Sequence, residues 1–446
     1  MIKLDYSNVL SERIGEEHGI SLEDIESFQE QIPKIEEEIN LRRDTDFYFM
    51  NMPFQNLERI KEVGKNIREN FEYFVVIGIG GSALGNQTLN ESINGLGYNY
   101  KKYPKFFVLD NVDPEKFSSV LEQIDLKKTV FNIITKSGST TETVANFLVI
   151  LNMLKSYVGE DWKKYLIITT DPQRGFLRKF ADQEGIISFD IPKNLGGRFS
   201  VLSNVGLLSA ISSGIDVEEL LEGSRYAYTV CSNSKILENP AYLIGVIHYI
   251  ASTKKGKSIS VMMSYSERLS LFVDWYRQLW AESLGKEGLG QTPVKAIGSI
   301  DQHSQIQLYI DGPKDKIVTF LKVESMERDF KIEGDVPAEL EYLKGKSLKQ
   351  ILDALMEGTK TALIKASVPN LTISIEKLTP YSIGMLIYIY EMATGFSGLL
   401  YGINPFDQPA VEEGKNFVYG LMGREEFEEK LQEYNLLNKS SSILEV

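Results

Sequence analysis

The chain has 446 residues, which exceeds what one hydrophobic core usually holds, so we expect two domains. Its 48 basic and 62 acidic residues give a formal net charge of −14, which argues against nucleic acid or an anionic membrane surface as a partner. One cysteine, Cys231, excludes an intrachain disulfide, and with three histidines in all no metal site is expected. The N-terminal residues form no apolar secretory core, so we expect a cytoplasmic protein.

The first half of the chain predicts a parallel sheet behind a helical N-terminal segment. Over residues 1–70 the apolar positions follow the helical period and leave an acidic face. Apolar runs then alternate with segments long enough for crossover helices, which is typical of a doubly wound sheet. The predicted strands are 73–79, 105–110, 130–135, 165–170 and 186–191.

A second series of the same kind begins near residue 230. It predicts strands at 257–263, 306–311, 316–323 and 371–376, and helices at 269–283, 348–366, 382–394 and 424–437. The apolar stretch 381–403 contains Glu391, glycines and serines, so we interpret it as a buried helix and expect no membrane span.

These patterns predict an α/β fold of two doubly wound parallel-sheet domains, each a three-layer α/β/α arrangement, with helical N- and C-terminal extensions. The predicted boundaries are 1–50 for the N-terminal extension, 51–225 and 226–410 for the two domains, and 411–446 for the C-terminal tail.

A glycine-rich turn follows the first predicted strand. Gly78 to Ala83 fit the pattern G-x-G-x-x-A, a variant of the dinucleotide fingerprint. A nicotinamide cofactor site should show an acid about 20 positions on, whereas the next strand ends at Asp110, 32 positions after Gly78. A purely structural tight turn and a dinucleotide site remain alternative interpretations of this segment, but a contact to a phosphate or sugar is favoured.

The segment Lys136 to Thr143 carries five hydroxyls and a lysine directly after a strand. Ser139 and Glu142 have capping-box spacing, which predicts a helix starting here with free N–H groups at its positive end. Hydroxyl-rich helix starts also occur without a ligand, but this edge of an α/β sheet is where anions bind. The segment therefore predicts a phosphate site.

Two further motifs carry candidate chemistry. Arg198 follows two glycines, which let a ligand approach closely, and its guanidinium suits an oxyanion. Gln278 and Glu282 lie one turn apart near the end of a predicted helix, where the helix dipole favours a general base. A surface arginine and a solvated glutamate are the alternatives.

Three other residues have ordinary interpretations when read alone. His303 precedes a predicted strand, and a lone histidine is more often structural than catalytic. His248, in an apolar helical run, is expected to be structural. Lys415 follows a predicted helix start at Pro409 and, by spacing alone, is interpreted as a surface lysine.

Taken together, these segments resemble the phosphoglucose isomerase family, whose short bacterial form is built from two sugar-isomerase (SIS) domains. The resemblance rests on IGIGGSALG, KSGSTTET, GGRFSVLSNVGLL, ESLGKEG, DQHSQIQLYIDGP and DQPAVEEGK, which occur in the family's order between residues 77 and 415.

The resemblance implies roles for four catalytic residues. Glu282 would move a proton between C1 and C2 of the sugar, and Arg198 would face the enediolate intermediate. His303 would act in ring opening, with Lys415 assisting at the ring oxygen. In this family the histidine comes from the neighbouring subunit, so a homodimer is implied. The implied substrate contacts are Gly81, Ser82, Thr135, Lys136, Ser137, Thr140, Gly197, Gln278 and Gln408.

The implied reaction is the interconversion of glucose 6-phosphate and fructose 6-phosphate, a step of glycolysis and gluconeogenesis, without metal or redox cofactor. Two alternatives remain: a non-catalytic SIS-type phosphosugar-binding protein and an NAD-dependent oxidoreductase. The joint presence of Glu282, His303 and Lys415 argues against the first, and the missing ribose-binding acid against the second.

Overall fold

The structure is a computed structural model that describes residues 1–438 and residue 444. The chain divides into two compact units, Met1–Pro405 and Phe406–Val446. The strands are β1 Ile2–Asp5, β2 Tyr73–Ile77, β3 Lys105–Leu109, β4 Thr129–Thr135, β5 Leu166–Thr170, β6 Ile187–Asp190, β7 Ile259–Ser264, β8 Thr292–Ile297, β9 Lys316–Val323 and β10 Asn370–Ile375.

Helices fill the connections between these strands and also follow the last strand. They are α1 Ser11–Ile14, α2 Leu22–Glu26, α3 Ile32–Leu41, α4 Glu58–Asn70, α5 Leu84–Leu89, α6 Tyr98–Lys101, α7 Pro114–Leu121, α8 Thr141–Val158, α9 Phe176–Glu184, α10 Asn204–Ser212, α11 Val217–Cys231, α12 Pro240–Lys255, α13 Ser270–Leu284, α14 Ile306–Asp311, α15 Leu348–Lys365, α16 Pro380–Tyr401, α17 Ala410–Leu421 and α18 Glu428–Leu437.

The first sheet has the strand order β3-β2-β4-β5-β6, and all its strands are parallel. β4 is buried at every position, as expected for a central strand covered on both faces. Its side chains share an apolar cluster with α8 and α9, while α10 contacts β2. The chain reverses its direction of strand addition between β2 and β4, so the sheet's topological switch point lies there.

The second sheet repeats this order as β8-β7-β9-β10. Its fifth place, which β6 holds in the first sheet, is taken by β1, and β1 pairs antiparallel with β10. The N-terminal segment predicted to be helical therefore contributes a strand to the second sheet. Apart from this strand, the predicted two-sheet α/β fold is confirmed.

The predicted strands of the first sheet are confirmed to within two residues, but two predictions in the second series need correction. The segment Ile306–Asp311 is helix α14, not a strand. Its apolar residues Ile306, Tyr309 and Ile310 reach the core at helical spacing, which a six-residue run does not separate from alternation. β8 was missed, because a proline, a lysine and partial exposure hide the strand pattern.

The apolar stretch 381–403 lies in α16. Among the described residues α16 is the one helix long and apolar enough to cross a membrane, and 89% of its apolar window is buried inside the protein. Thr379 caps its start and Gly402 ends it in the left-handed conformation. The predicted buried helix is confirmed, and it is longer than the predicted 382–394.

Candidate active site

Two loops meet at the switch point of the first sheet. β2 and β4 are parallel neighbours, with Ile77 opposite Ile133, so the loops that follow them leave the same edge of the sheet. A Cβ on Gly78 would lie 3.0 Å from the Ile134 carbonyl oxygen, so the glycine loop runs directly against β4. Open α/β sheets bind ligands at this position.

The glycine loop also contacts two other segments. A Cβ on Gly81 would overlap the carbonyl oxygen of Gly197, in the 3₁₀ turn Gly197–Phe199. Gly80 has φ +57°, and a Cβ there would lie 2.8 Å from Gln278 Nε2 on α13. Because Gly80 and Gly81 have no side chains, the glycine loop (residues 78–83) can approach both the turn Gly197–Phe199 and helix α13 closely.

Three hydroxyls cluster at the end of β4. Thr135 Oγ1 lies 2.6 Å from Thr140 Oγ1 and 3.3 Å from Ser137 Oγ, and Ser137 Oγ lies 3.3 Å from Thr140 Oγ1. Thr170 Oγ1 on β5 donates to the Thr135 carbonyl at 2.6 Å and fixes the strand end. The cluster offers several hydroxyl donors to an anion within one short loop.

The helix start after this cluster differs from the prediction. α8 begins at Thr141, with Thr140 as N-cap residue, and no side chain of the described chain caps it. The predicted capping box of Ser139 and Glu142 is wrong, because the helix begins one residue later than that pairing requires. The uncapped N-terminus still directs its positive dipole end toward the loop.

Lys136 follows the last residue of β4 and stands in the chain between Thr135 and Ser137 of the hydroxyl cluster. It is half-buried, and burial lowers the pKa of its ammonium group, while the nearby Asp171 acts in the opposite direction. A phosphate beside Lys136 would favour the charged form.

Glu282 is held between two side chains that come from different parts of the chain. Its Oε1 accepts from Gln278 Nε2 at 3.1 Å, and its Oε2 accepts from Arg198 Nη1 at 3.2 Å. The Glu282 side chain is 35% exposed, whereas that of Arg198 is 2% exposed. A carboxylate so placed is fixed in position but still open to a ligand from one side.

Arg198 has partners on all three of its nitrogens. Nε donates to Ser283 Oγ at 2.7 Å, Nη2 donates to the Pro405 carbonyl at 2.6 Å, and Nη1 points to Glu282. Sequence reasoning missed Ser283 and the Pro405 carbonyl. The local signal in the sequence was that Ser283 follows Glu282 directly, but only the folded geometry shows what its hydroxyl contacts.

His303 is not joined to this cluster. It is exposed, in the 3₁₀ turn Ile300–His303, and among the described residues no hydrogen bond or ion pair links it to Glu282. The strand predicted after it is α14. His248 is buried in α12, with Nδ1 2.9 Å from Gln291 Oε1, and burial lowers its pKa to about 4.

Gln408 and Lys415 belong to the second compact unit. Lys415 lies on α17, which begins directly after Pro409 as predicted, and its Nζ lies 2.6 Å from Glu412 Oε1. Within its own unit Lys415 is thus half-exposed and paired one helical turn back along the chain.

Comparison with known proteins identifies the family to which the chain belongs. The family model described as phosphoglucose isomerase matches residues 56–308 and 334–441. The chain belongs to the phosphoglucose isomerase family. The resemblance expected from the sequence is confirmed.

Relatives match over nearly the whole length. The glucose-6-phosphate isomerase of Carboxydothermus hydrogenoformans is 42% identical over 99% of both chains. Among solved structures, a hypothetical protein from Thermus thermophilus has a TM-score of 0.83 at 35% identity, over 95% of this chain and 100% of its own. A glucose-6-phosphate isomerase from Chlamydia trachomatis has a TM-score of 0.73 at 25% identity, over 85% and 76%.

Proposed function

We propose that this member of the phosphoglucose isomerase family interconverts D-glucose 6-phosphate and D-fructose 6-phosphate through ring opening and an enediolate intermediate. The observation that carries the proposal is the half-exposed Glu282 carboxylate, fixed by Gln278 and Arg198 beside a glycine loop at the sheet's switch point. The reaction moves two protons and two electrons within the sugar, one proton between C1 and C2 and one between their oxygens. One carbon is oxidised as the other is reduced, so the chemistry requires no redox cofactor.

The phosphate group is bound at the ends of β2 and β4. The hydroxyls of Ser137 and Thr140, the Lys136 ammonium and the free N-terminus of α8 supply donors and positive charge. Anchoring the phosphate orients the distant C1 and C2 atoms, and orientation of this kind lowers the barrier. The binding residues proposed are Gly81, Ser82, Thr135, Lys136, Ser137, Thr140, Gly197, Gln278 and Gln408.

Glu282 is proposed as the base that removes the proton from one carbon and returns it to the other. General base catalysis of this kind contributes about 10²–10⁴-fold. Arg198 stabilises the negative charge that develops on the enediolate oxygen, and one such donor contributes about 3 kcal/mol by analogy with oxyanion holes. Because Arg198 is already oriented, little reorganisation is needed when that charge appears.

His303 and Lys415 are proposed for ring opening, with His303 supplied by the second subunit of a homodimer. The exposure of His303 and its lack of a contact with Glu282 within one chain support this arrangement. Ile300 and Leu308, on either side of it, are 60% and 56% exposed, so a second subunit packed there would bury apolar side chains. Cytoplasmic location and the domain boundaries 1–50, 51–225, 226–410 and 411–446 complete the proposal.

The direct test is to incubate the pure protein with fructose 6-phosphate and measure glucose 6-phosphate in a separate detection step. An isomerase forms glucose 6-phosphate without added nicotinamide. A non-catalytic phosphosugar-binding protein retains the sugar unchanged, and an oxidoreductase requires the nicotinamide. Either of the last two results would contradict the proposal.

A further inference from the structure

The loop between β5 and α9, residues 171–175, packs against the loop that carries the hydroxyl cluster. A Cβ on Gly138 would lie 2.9 Å from the Gly175 Cα, and a Cβ on Gly175 would overlap the Ser137 carbonyl oxygen. The Leu177 N–H donates to the Gly138 carbonyl at 3.3 Å. The loops that follow the adjacent strands β4 and β5 are thus in direct backbone contact.

The 171–175 loop is held in a defined conformation. Asp171 Oδ1 accepts from the backbone N–H of Gln173 at 2.8 Å and of Arg174 at 2.9 Å. Arg178 Nε donates to the Asp171 carbonyl at 2.9 Å, and Arg178 itself is nine-tenths buried and paired with Asp190. The backbone of Arg174 is therefore fixed beside the loop that carries the hydroxyl cluster, residues 135–140.

The side chain of Arg174 differs from its neighbour Arg178. Arg174 is exposed, and its guanidinium has no ion pair within residues 1–438, whereas Arg178 has two. Its Cα lies one residue, about 3.8 Å, from that of Gly175. An arginine side chain is long enough to span from there to a ligand held by the Ser137 and Thr140 hydroxyls.

We propose that Arg174 is a further cation of the phosphate site, which attracts the phosphate dianion and pairs with it at the open side of the loop. The proposal rests on the proposed function, since it takes the phosphate to bind at residues 135–140. The chain carries a net charge of −14, so its overall field repels a dianion. A cation beside the phosphate site offsets this repulsion locally. Arginine suits it, because a guanidinium stays charged and forks onto two phosphate oxygens.

The test compares Arg174→Ala, Arg174→Lys and Lys179→Ala over a range of ionic strength. Lys179 is an exposed cation on α9, so its removal changes the net charge equally at a site further along the chain. At about 10 mM ionic strength we expect Arg174→Ala to raise KM for fructose 6-phosphate about fivefold, with kcat within about twofold of the parent. The inhibition constant of inorganic phosphate should rise by a similar factor.

The difference should vanish at about 0.5 M ionic strength, where exposed charges are screened. Arg174→Lys should recover only part of the affinity, because its charge remains but the two-pronged contact is lost. Lys179→Ala should match the parent. An unchanged KM at low ionic strength in Arg174→Ala, or a loss confined to kcat, would overturn the inference. A parent protein without isomerase activity would instead contradict the proposed function, so the two failures are distinguishable.

Discussion

The guanidinium of Arg198 shows how single contacts organise the candidate site. Its partners include residues 282, 283 and 405, so donors on three sides of the group are fixed before any substrate arrives. Burial makes this arrangement costly to disturb, because an unsatisfied buried donor loses its hydration without compensation. The fixed orientation leaves Nη1 directed at the carboxylate proposed as base.

Ser283 is therefore expected to act as a positioning residue. In Ser283→Ala, Arg198 Nε loses a buried acceptor, which costs about 1–3 kcal/mol. We expect kcat to fall about tenfold with KM within about twofold, because the guanidinium proposed to face the enediolate loses orientation. Steady-state kinetics and a thermal melt measure both effects.

Ser397→Ala is the matched control. Ser397 is fully buried on α16, and its hydroxyl donates to the carbonyl of Ala393 one turn back in the same helix. It should keep the parent kcat. An equal loss of kcat in both variants would assign Ser283 a general packing role instead.

At the scale of residues, the sequence predicted which side chains belong to the candidate site but not which groups they hydrogen-bond. Glu282, Gln278 and Arg198 were all proposed from local motifs, and the structure brings them into contact. It does not join His303 to them within the chain. Ser283, Pro405 and Arg174 were not proposed, because their contribution depends on long-range contacts or on the packing of two loops, which no local pattern encodes.

At the scale of elements, the site depends on close approach of the glycine loop and the turn Gly197–Phe199. The backbone of the two segments meets at Gly81, where a Cβ would overlap the Gly197 carbonyl oxygen. Strand positions were predictable because long buried runs have a clear pattern. Short or edge elements such as α14, β8 and β1 were not, since their few residues fit both helical and strand spacing or lie half exposed.

Gly81→Ala should force this pair of segments apart. We expect a drop of at least about 100-fold in kcat/KM, because misplacement by about 1 Å is enough to disturb a catalytic arrangement. Gly358→Ala is the control, since a Cβ there meets no atom within 4 Å and Gly358 lies inside α15. Near-parent kcat/KM in Gly81→Ala would show that the approach is not required.

At the scale of the whole molecule, the two sheets share one strand order, and the order places the loops after β2 and β4 side by side. The sequence predicted this doubly wound arrangement because alternating strands and crossover segments favour it. It did not predict that β1 completes the second sheet, since a four-residue edge strand pairs with a partner over 360 positions away. Such pairing depends on the assembled fold.

The stability of the whole molecule should depend on His248. Its pKa is lowered by burial from 6.5 to about 4, so between these values the unfolded chain binds a proton that the folded chain does not. The free energy of unfolding is unaffected above pH 6.5 and should fall by about 3 kcal/mol as the pH drops toward 4. Urea titrations across this range measure the effect.

His248→Asn should flatten that pH dependence, even if it lowers stability at neutral pH. An equally steep loss of stability between pH 6.5 and 4 in His248→Asn would assign the acid sensitivity to other groups.

The central proposal is proton transfer by Glu282, and its most direct test is deuterium exchange in heavy water. Fructose 6-phosphate is incubated in D₂O with the parent, with Glu282→Gln and with Glu267→Gln, an exposed glutamate at the start of the same helical segment, and the products are followed by NMR. We expect the parent and Glu267→Gln to form glucose 6-phosphate carrying deuterium at C2. We expect Glu282→Gln to bind the sugar phosphate but to lose exchange and turnover by at least about 100-fold. Exchange at C2 at the parent rate in Glu282→Gln would contradict the proposed role of Glu282.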